Sequence, residues 1–513
     1  MGFYPAEPAN RVPTPSTPTR TVKPEARTWF LKGNDCLTRG QKLEAARCFY
    51  QAVREQPDFS DAHYNLGVAL HELKQLAEAS ACYEQVVRLQ PDHASAWNNL
   101  GVARRLLGQR QKAVEAHRRA VALDPGQIDF KINLANALRA GEMTDEAIQL
   151  LQQTLQGNPG SATLWHTLGN AWREAGRLAE SEDAFRRALQ ITPGLVESHW
   201  DLAFTLLLKG DFLSGWDEYE WRWQRKDHPA RSFDMPAWQG ENLAGKRLLI
   251  YAEQGAGDTI QFARYVPLLA QWGARVILEC PRALVALLGT LPGVERVIAK
   301  GDRLPPADFQ CALLSLPRWF GTTQETIPSQ VPYLQARSDG PRLPAFGPSP
   351  DGRSLRVGFV WSGNPEHQND ARRSIALEVL RPWLANQEAV FHSLQPKPAS
   401  GAGKPPQIDD LVTDLTDLIG DYADTACLVR QLDLVIAVDT SVAHLAGALG
   451  HPVWLLLPYA PDWRWLMDRH DSPWYPSMTI FRQPVAGDWS SVLRAVSENL
   501  RRPPKAAKKP SPE

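Results

Sequence analysis

The chain has 513 residues, which is too long for one hydrophobic core, and this length predicts two to four domains. Its 43% hydrophobic and 22% charged residues are typical of a globular protein. The 56 Lys and Arg residues nearly cancel the 57 Asp and Glu residues, so the overall charge argues against binding to nucleic acid or to an anionic membrane.

The first segment, residues 1–22, is rich in proline and lacks the apolar core of a signal peptide, so we expect it to be disordered. The most apolar later window, residues 434–457, contains Asp439 and His444, which argues against a membrane-spanning helix there. The six cysteines form no CxxC pair and the histidines do not cluster at metal-binding spacing, which indicates reduced thiols and no metal site. The sequence therefore predicts a cytoplasmic protein that does not cross a membrane.

A proline recurs every 34 residues in the first half of the chain. The five prolines in register are Pro57, Pro91, Pro125, Pro159 and Pro193. Each ends a helix, because proline cannot continue one, and small residues in register, such as Ala45 and Ala79, allow two helices to pack closely. The pattern resembles the tetratricopeptide repeat and implies an α-helical solenoid over residues 23–227, with five clear repeats and a sixth, degenerate one.

One position of this repeat carries asparagine three times in succession, at Asn65, Asn99 and Asn133. Because an amide both donates and accepts hydrogen bonds, a column of asparagines in the groove of a solenoid suits an extended peptide of any sequence. Alternatively, asparagine is simply the common residue at this repeat position. In both cases we expect the array to bind a protein or peptide.

The pattern changes after a linker at residues 228–245. Apolar runs typical of buried parallel strands alternate with amphipathic helices, which predicts two doubly wound α/β lobes at residues 246–340 and 354–500, followed by a disordered basic tail at 501–513. The predicted strands are KRLLIYAEQ, ARVILEC, ERVIAK and FQCALLSL in the first lobe, and LRVGFVWSG, AVFHSLQ, DLVIAVDTS and HPVWLLLP in the second. Ligands of such sheets bind outside the carboxyl ends of the strands.

The loop after the first predicted strand places Asp258 just before a helix. Gly255 and Gly257 let the backbone approach a ligand closely, and a carboxylate there suits proton abstraction from an acceptor better than phosphate binding. These residues and Gln261 are therefore assigned to the acceptor side. Alternatively, Asp258 only caps the helix, since Gln261 lies three residues further on, as in a capping box.

One loop of the second lobe is predicted to bind phosphate at the start of a helix. Asp439, Thr440 and Ser441 close a strand and open a helix, whose N-terminal N–H groups attract anions. His444 lies one turn further on and is placed to face the same phosphate. The alternative is a plain helix cap with a histidine that faces the core.

A second loop of this lobe, residues 361–375, is long and polar and carries Asn364, Arg372 and Arg373. Paired arginines suit a departing diphosphate, because they stabilise the charge that grows as the bond breaks. Alternatively, the loop is a solvated charged surface. A weaker candidate is residues 458–465, whose aromatic side chains either contribute to the site or merely close the cleft.

The segments GAGDTIQFARYVPLL and VDTSVAHLAGALGHPV resemble the heptosyltransferase family (glycosyltransferase family 9) over about residues 246–500. The resemblance implies a two-lobed GT-B fold of two Rossmann-type domains. It also implies inverting transfer of a sugar from a nucleotide-sugar donor, without a metal or a further cofactor. The family's catalytic base would be Asp258, and nucleotide binding would fall to Asp439, Thr440 and His444.

The sequence departs from that family in two places. Ser441 stands where glycine is usual, and the lysine-bearing phosphate loop is not recognisable, so that Arg372 or Arg373 would take its role. Repeats fused to a two-lobed sugar transferase are also similar in layout to protein O-GlcNAc transferase, which suggests a polypeptide acceptor. The sequence thus predicts a glycosyltransferase; the alternatives are a catalytically degenerate repeat scaffold and an epimerase that acts on a sugar nucleotide.

Overall fold

The computed structural model describes residues 22–226, 231–344, 355–364, 370–395 and 411–501. The chain divides into two compact units, Met1–Leu202 and Ala203–Glu513. The predicted disordered ends and part of the predicted linker lie outside the described residues, at 1–21, 502–513 and 227–230.

The first unit is built from consecutive helix pairs, one pair for each 34-residue repeat. Its described helices are α1 (Pro24–Thr38), α2 (Lys42–Glu55), α3 (Ser60–Glu72), α4 (Leu76–Leu89), α5 (Ala94–Leu106), α6 (Arg110–Leu123), α7 (Ile128–Ala140), α8 (Thr144–Gly157), α9 (Ala162–Glu174), α10 (Leu178–Ile191) and the start of α11 (Val196–Lys209). The predicted α-helical repeat array is therefore confirmed. The recurring prolines follow the even-numbered helices by two residues, as expected for a residue that cannot continue a helix.

In four repeats a glycine on the first helix faces a ring on the second. A Cβ atom at the glycine would lie within 3 Å of the ring, so only glycine allows this approach of the two helices. The pairs are Gly33–Phe49, Gly67–Tyr83, Gly101–His117 and Gly169–Phe185, with Cβ positions 2.6–2.8 Å from the ring.

His117 differs from the other three rings because it is an imidazole, which can take up a proton between pH 5 and 8 in an unfolded chain. It is fully buried, and neither of its ring nitrogens has a hydrogen-bond partner among the described residues. Burial lowers the pKa of His117 to about 3, so the folded chain holds the ring neutral. An unfolded histidine titrates near pH 6.5, so the stability that the neutral ring gives is complete above that pH and is lost as the pH falls from 6.5 towards 3.

We expect His117→Phe to raise the free energy of unfolding of the repeats by about 1–2 kcal/mol, with a larger gain at pH 5 than at pH 8. Urea unfolding followed by circular dichroism at both pH values measures the gain. Tyr83→Phe is the matched control, because it changes the same repeat position without a group that titrates in this range. An equal gain at both pH values would contradict the burial of a neutral histidine.

The second unit contains two parallel sheets. The first has the strand order β3-β2-β1-β4, with every neighbouring pair parallel. Its strands are β1 (Arg247–Tyr251), β2 (Arg275–Cys280), β3 (Val294–Ala299) and β4 (Phe309–Ala312). The helices before and between them are α12 (Phe212–Tyr219), α13 (Ala256–Phe262), α14 (Val266–Gln271), α15 (Val285–Leu288) and, after β4, α16 (Leu316–Trp319).

The second sheet has the order β10-β9-β8-β5-β6-β7, again parallel throughout. Its strands are β5 (Arg356–Val360), β6 (Val390–Ser393), β7 (Val412–Asp414), β8 (Leu434–Val438), β9 (Val453–Leu457) and β10 (Met478–Arg482). Its helices are α17 (Asp370–Arg373), α18 (Leu377–Leu384), α19 (Tyr422–Val429), α20 (Ser441–Ala448) and α21 (Trp489–Leu500). The eight predicted strands are all present; β7 and β10, at the two edges, were not predicted.

The predicted repeat region reaches residue 227, whereas the second compact unit begins at Ala203. Besides the second half of α11, the difference concerns residues 212–224. They comprise α12 and a 3-10 helix, Glu220–Gln224, and are called the 212–224 segment below. Trp216 of this segment is buried, donates from Nε1 to the backbone oxygen of Thr322 at 2.9 Å and packs against Phe262 and Trp463. Its aromatic side chains therefore join the core of the α/β unit.

Candidate functional site

In each sheet the strand order changes direction at one point. The candidate residues lie in the loops that follow the two strands at that point. In the second sheet the chain runs outwards through β5, β6 and β7, and then returns to place β8 on the other side of β5. The loops after β5 and β8 therefore diverge from neighbouring strands and leave a crevice, the usual ligand position in open parallel sheets. In the first sheet the same reversal lies between β1 and β4.

The two loops of the second sheet that were predicted to bind phosphate are joined by Arg373. Its Nη1 donates to the backbone oxygen of Asp439 at 2.9 Å, and its Nε donates to Asp370 Oδ1 at 3.1 Å. A Cβ atom on Gly363 would lie 2.3 Å from Arg373 Nη2, so a larger residue there would displace the end of the Arg373 side chain. Arg372 is half-buried on the same short helix, and the exposed Asn364 ends the described part of the loop after β5.

In the first sheet, the loop after β1 forms a helix start that differs from the predicted one. Helix α13 begins at Ala256, with Gly255 as its N-cap, so Asp258 lies inside the first turn rather than at the cap. The N–H of Gly255 donates to Asp258 Oδ2 at 3.0 Å. Asp258 thus takes the acidic, second position of a capping box, and Gln261 is not part of the cap.

The helix starts of the two sheets meet. A Cβ atom on Gly257 in α13 would lie 3.0 Å from His444 Cδ2 and 3.4 Å from the Cα of Ser441, both in α20. The structure therefore brings the predicted acceptor-side loop and the predicted donor-side loop together. It also explains the second glycine of the GAG sequence, because a larger residue would push the two helices apart.

Arg464, on the loop after β9, connects the two sides. Its Nη2 forms a short ion pair with Asp258 Oδ1, and its Nε donates to Gln261 Oε1 at 2.7 Å. Its Nη1 donates to Asp462 Oδ1 at 2.7 Å, and its guanidinium lies 4.3 Å from the centre of the Trp463 ring. The side chain is only 9% exposed, so Arg464 is a buried cation shared by two carboxylates and an amide.

Asp439 lies in this charged surrounding and holds its proton more tightly than an ordinary aspartate. Burial, followed by the neighbouring Asp462 carboxylate, raises the pKa of Asp439 to about 6, against the opposite effect of Arg373 and Arg464. Perturbed carboxylates of this kind gather at functional sites, although structural ion-pair networks produce them as well.

The remaining predicted residues of α20 are mostly engaged inside the protein. His444 is buried, lies 3.0 Å from the hydroxyl of Tyr475 through Nδ1 and stacks on Trp465. Burial, then Arg464 and Arg264, lower the pKa of His444, so the ring is neutral, which favours the interpretation of a core-facing histidine over a phosphate ligand. The hydroxyl of Ser441 lies 2.8 Å from that of Tyr422.

Several buried polar atoms at the site have no partner among the described residues, including the hydroxyl of Thr440, which is the N-cap of α20, and Nε2 of Gln261. An unpaired buried polar atom costs stability, so each indicates a position where a ligand or a water would bind favourably. Sequence reasoning missed Arg464, although it singled out its segment for the aromatic residues. The alternation of Asp and Trp around an arginine was the available signal.

The three repeat asparagines lie on the first helices of successive repeats and are largely buried. Each donates from Nδ2 to a residue of the preceding repeat. The acceptors are Asn34 Oδ1 at 2.9 Å for Asn65, Tyr64 Oη at 3.1 Å for Asn99 and Asn98 Oδ1 at 3.0 Å for Asn133. These bonds tie the repeats together, so one donor of each amide is already used; the predicted peptide contact stays a prediction.

Two kinds of feature, a membrane-spanning helix and a metal-binding cluster, are absent from the residues that the structure describes. In that part of the chain, no helix is long and apolar enough to cross a membrane. Likewise, no group of three or more His, Cys, Asp or Glu side chains is arranged to hold a metal ion in the described ranges.

Comparison with known proteins identifies the repeats. Two models of the tetratricopeptide repeat match, one at residues 58–125 and one at residues 30–81 and 132–196, so the predicted repeat type is confirmed. Protein FlbA of Caulobacter vibrioides is 29% identical over 330 residues, which cover 58% of this chain and 54% of FlbA. The chain thus spans about half the length of this relative.

Several solved structures are similar to parts of this chain. MamA is 22% identical, with a TM-score of 0.31, over 33% of this chain and 92% of MamA. A thermophilic TPR protein of Thermus thermophilus is 19% identical, with a TM-score of 0.30, over 36% of this chain and 99% of its own. The first TPR of RPAP3, solved with an HSP90 peptide, is 24% identical, with a TM-score of 0.22, over 23% of this chain and 92% of the RPAP3 chain. At these TM-scores the likenesses carry no argument about function.

Proposed function

We propose that the α/β unit is a metal-independent, inverting glycosyltransferase of GT-B type, which uses a nucleotide-sugar donor. The observation that carries the proposal is the meeting of the helix starts after β1 and β8, with Arg464 between them. Two parallel sheets that turn the loops at their carboxyl ends towards each other create a site between donor and acceptor lobes. The repeat array, which has a protein-interaction fold, would recruit a protein or peptide acceptor.

The donor would bind at the crevice between β5 and β8. The N-terminal N–H groups of α20, together with Arg373 and Arg372, supply positive potential for the diphosphate. Thr440, whose hydroxyl lacks a partner among the described residues, lies at the same helix start. Because burial raises the pKa of Asp439 to about 6, this carboxyl takes up a proton beside a diphosphate more readily than an ordinary aspartate, which lessens its repulsion of the phosphates.

The contacts of Asp258 do not favour the role of catalytic base that the family resemblance gives it. Its Oδ2 accepts from Gly255 and its Oδ1 pairs with Arg464. Because both oxygens already accept hydrogen bonds, Asp258 would first have to release Arg464 before it could take a proton from an acceptor. The diphosphate of the donor is an anion that competes for the same guanidinium, and its binding would favour that release.

A scaffold without catalytic activity is the second candidate. It is favoured by the satisfied pairing of Asp258 with Arg464, which is what a purely structural network would show. The family models also match only the repeats.

Incubation of the full chain with ADP-, UDP-, GDP- and TDP-sugars separates the two. Release of the nucleoside diphosphate from one donor, with water or an added polypeptide as acceptor, is the expected result for a transferase. A scaffold releases none, and an epimerase returns a changed sugar that is still attached to its nucleotide.

A further inference from the structure

The reversal point of the first sheet carries a buried carboxylate that the sequence did not single out. Glu253 lies two residues after the end of β1, and its side chain is only 5% exposed. Its Oε1 accepts from the backbone N–H of Leu314, after β4, at 3.3 Å. Glu253 therefore lies in the crevice between β1 and β4, where a ligand of the first sheet would bind.

The 212–224 segment completes this crevice. Arg222 is fully buried and donates from Nη2 to Glu253 Oε1 at 3.2 Å and to Ser315 Oγ at 2.6 Å. Its Nη1 donates to Glu220 Oε1 at 2.6 Å. One arginine thus serves two carboxylates, which leaves the group with a net negative charge when both are ionised.

Glu253 differs from Asp258 in one respect that matters for chemistry. Glu253 Oε2 is buried and has no hydrogen-bond partner among the described residues, whereas both oxygens of Asp258 are engaged. A buried carboxylate oxygen without a partner is costly, and it is free to accept a proton once an acceptor group enters the crevice.

The surroundings of Glu253 bring the pKa of its carboxyl close to neutral pH. Burial raises the pKa of Glu253 to about 7, and Arg222 and the N–H of Leu314 act against that rise. The other titratable groups that face it are Glu220, Tyr219, Tyr251 on β1 and Cys311 on β4. A base with a pKa near the working pH combines a useful ionised fraction with a useful proton affinity.

The Glu253 crevice adjoins the site between the two sheets. Gln254, the next residue, donates from Nε2 to the hydroxyl of Tyr219 at 3.3 Å. Tyr219 in turn lies close enough to Asp258 and Arg464 for both to act on its titration. Gln254 and Tyr219 thus connect the surroundings of Glu253 with those of Asp258 and Arg464.

We propose that Glu253 is the catalytic base of the transfer, an inference that rests on the proposed function. The acceptor oxygen forms a bond to the anomeric carbon, while the bond from that carbon to the diphosphate oxygen breaks. The acceptor's proton goes to Glu253 Oε2, and the leaving nucleoside diphosphate takes the electron pair. Asp258 then keeps Arg464 in position, and the 212–224 segment is part of the active unit.

The test uses the full chain and the hydrolysis of its preferred sugar nucleotide, with water as acceptor. The wild-type rate is expected to rise with pH through an apparent pKa near 7, and Glu253→Gln to lower that rate at least 100-fold and to remove the rise. Glu253→Asp restores part of the rate, and Asp258→Asn keeps the pH profile. Donor affinity is unchanged in Glu253→Gln, since the variant alters the acceptor side.

A stability measurement shows whether Glu253→Gln is folded. The folded-state pKa of Glu253 lies above the unfolded value, so its contribution to stability is present at low pH and is lost as the pH rises through about 7. Glu253→Gln should accordingly match the wild type at pH 5 and exceed it at pH 8. If Asp258→Asn removes the pH profile and Glu253→Gln keeps it, Asp258 is the base and the inference fails while the proposed function stands. If the wild type releases no nucleoside diphosphate from any donor, with water or with an added polypeptide as acceptor, both fail.

Discussion

Arg464→Ala is expected to lower the free energy of unfolding of the α/β unit by about 3 kcal/mol. Removal of the guanidinium leaves Asp258 and Asp462 as neighbouring carboxylates without their shared cation, and Gln261 Oε1 without its donor. Removal of one partner from a buried pair costs about 3–5 kcal/mol, and the lower end applies because both carboxylates are partly exposed.

The measurement is urea unfolding, with hydrogen exchange to follow the α/β unit separately from the repeats. Arg469→Ala is the matched control: it lies five residues further along and pairs with Asp471, which is 69% exposed, so its loss should cost less than about 1 kcal/mol. In Asp258→Asn the extra cost of Arg464→Ala should shrink, because part of the charge left behind is gone. Equal effects of the two arginine variants would refute the shared-cation arrangement.

Trp216→Ala is expected to destabilise the α/β unit by about 3–5 kcal/mol. The indole is almost fully buried, and its removal leaves a large cavity beside Phe212, Phe262 and Trp463. It also leaves the backbone oxygen of Thr322 without its donor.

Hydrogen exchange read out by region locates this effect. We expect protection to fall in β1, β4 and α13, and the even-numbered helices of the first four repeats to keep theirs. Trp272→Ala is the control, because its ring is 47% exposed and stacks on Phe320 at the surface. Loss of protection confined to the repeats would show that the 212–224 segment belongs to the array, as the sequence pattern suggested.

The repeat period and eight of the strands were predictable because each depends on a local signal. Proline ends the helix in which it would otherwise lie, and a run of apolar residues indicates a buried strand at the same place in the sequence. The edge strands β7 and β10 lack such a run: the first has three residues, and the second alternates between buried and exposed side chains.

The candidate loops were predictable in part, and their connections were not. The GAGD and DTS sequences indicate helix starts at the ends of strands, and the structure brings those two starts into contact. That Arg464 would join them from 206 residues away in sequence depends on the packing of two sheets, which no local pattern encodes. Glu253 was overlooked for the same reason, since its partner Arg222 comes from a segment assigned to the repeats.

Residues 212–224 satisfy the repeat pattern and the packing of the α/β unit at once. Gly215, in register with Ala45 and Ala79, keeps the small residue of the repeat crossing, since a Cβ atom there would lie 2.7 Å from Leu207 of α11. Aromatic side chains of the same helix, among them Trp216, pack on the α/β core. The local pattern indicates the first of these contacts and not the second.

Isothermal titration calorimetry of the full chain with ADP-, UDP-, GDP- and TDP-sugars shows whether a sugar nucleotide binds between β5 and β8. We expect one nucleotide to bind and Arg373→Ala to weaken its binding at least tenfold, about 1.4 kcal/mol, while the control Arg469→Ala leaves the affinity unchanged. Absence of binding by every donor, or equal affinity in wild type and Arg373→Ala, would contradict it.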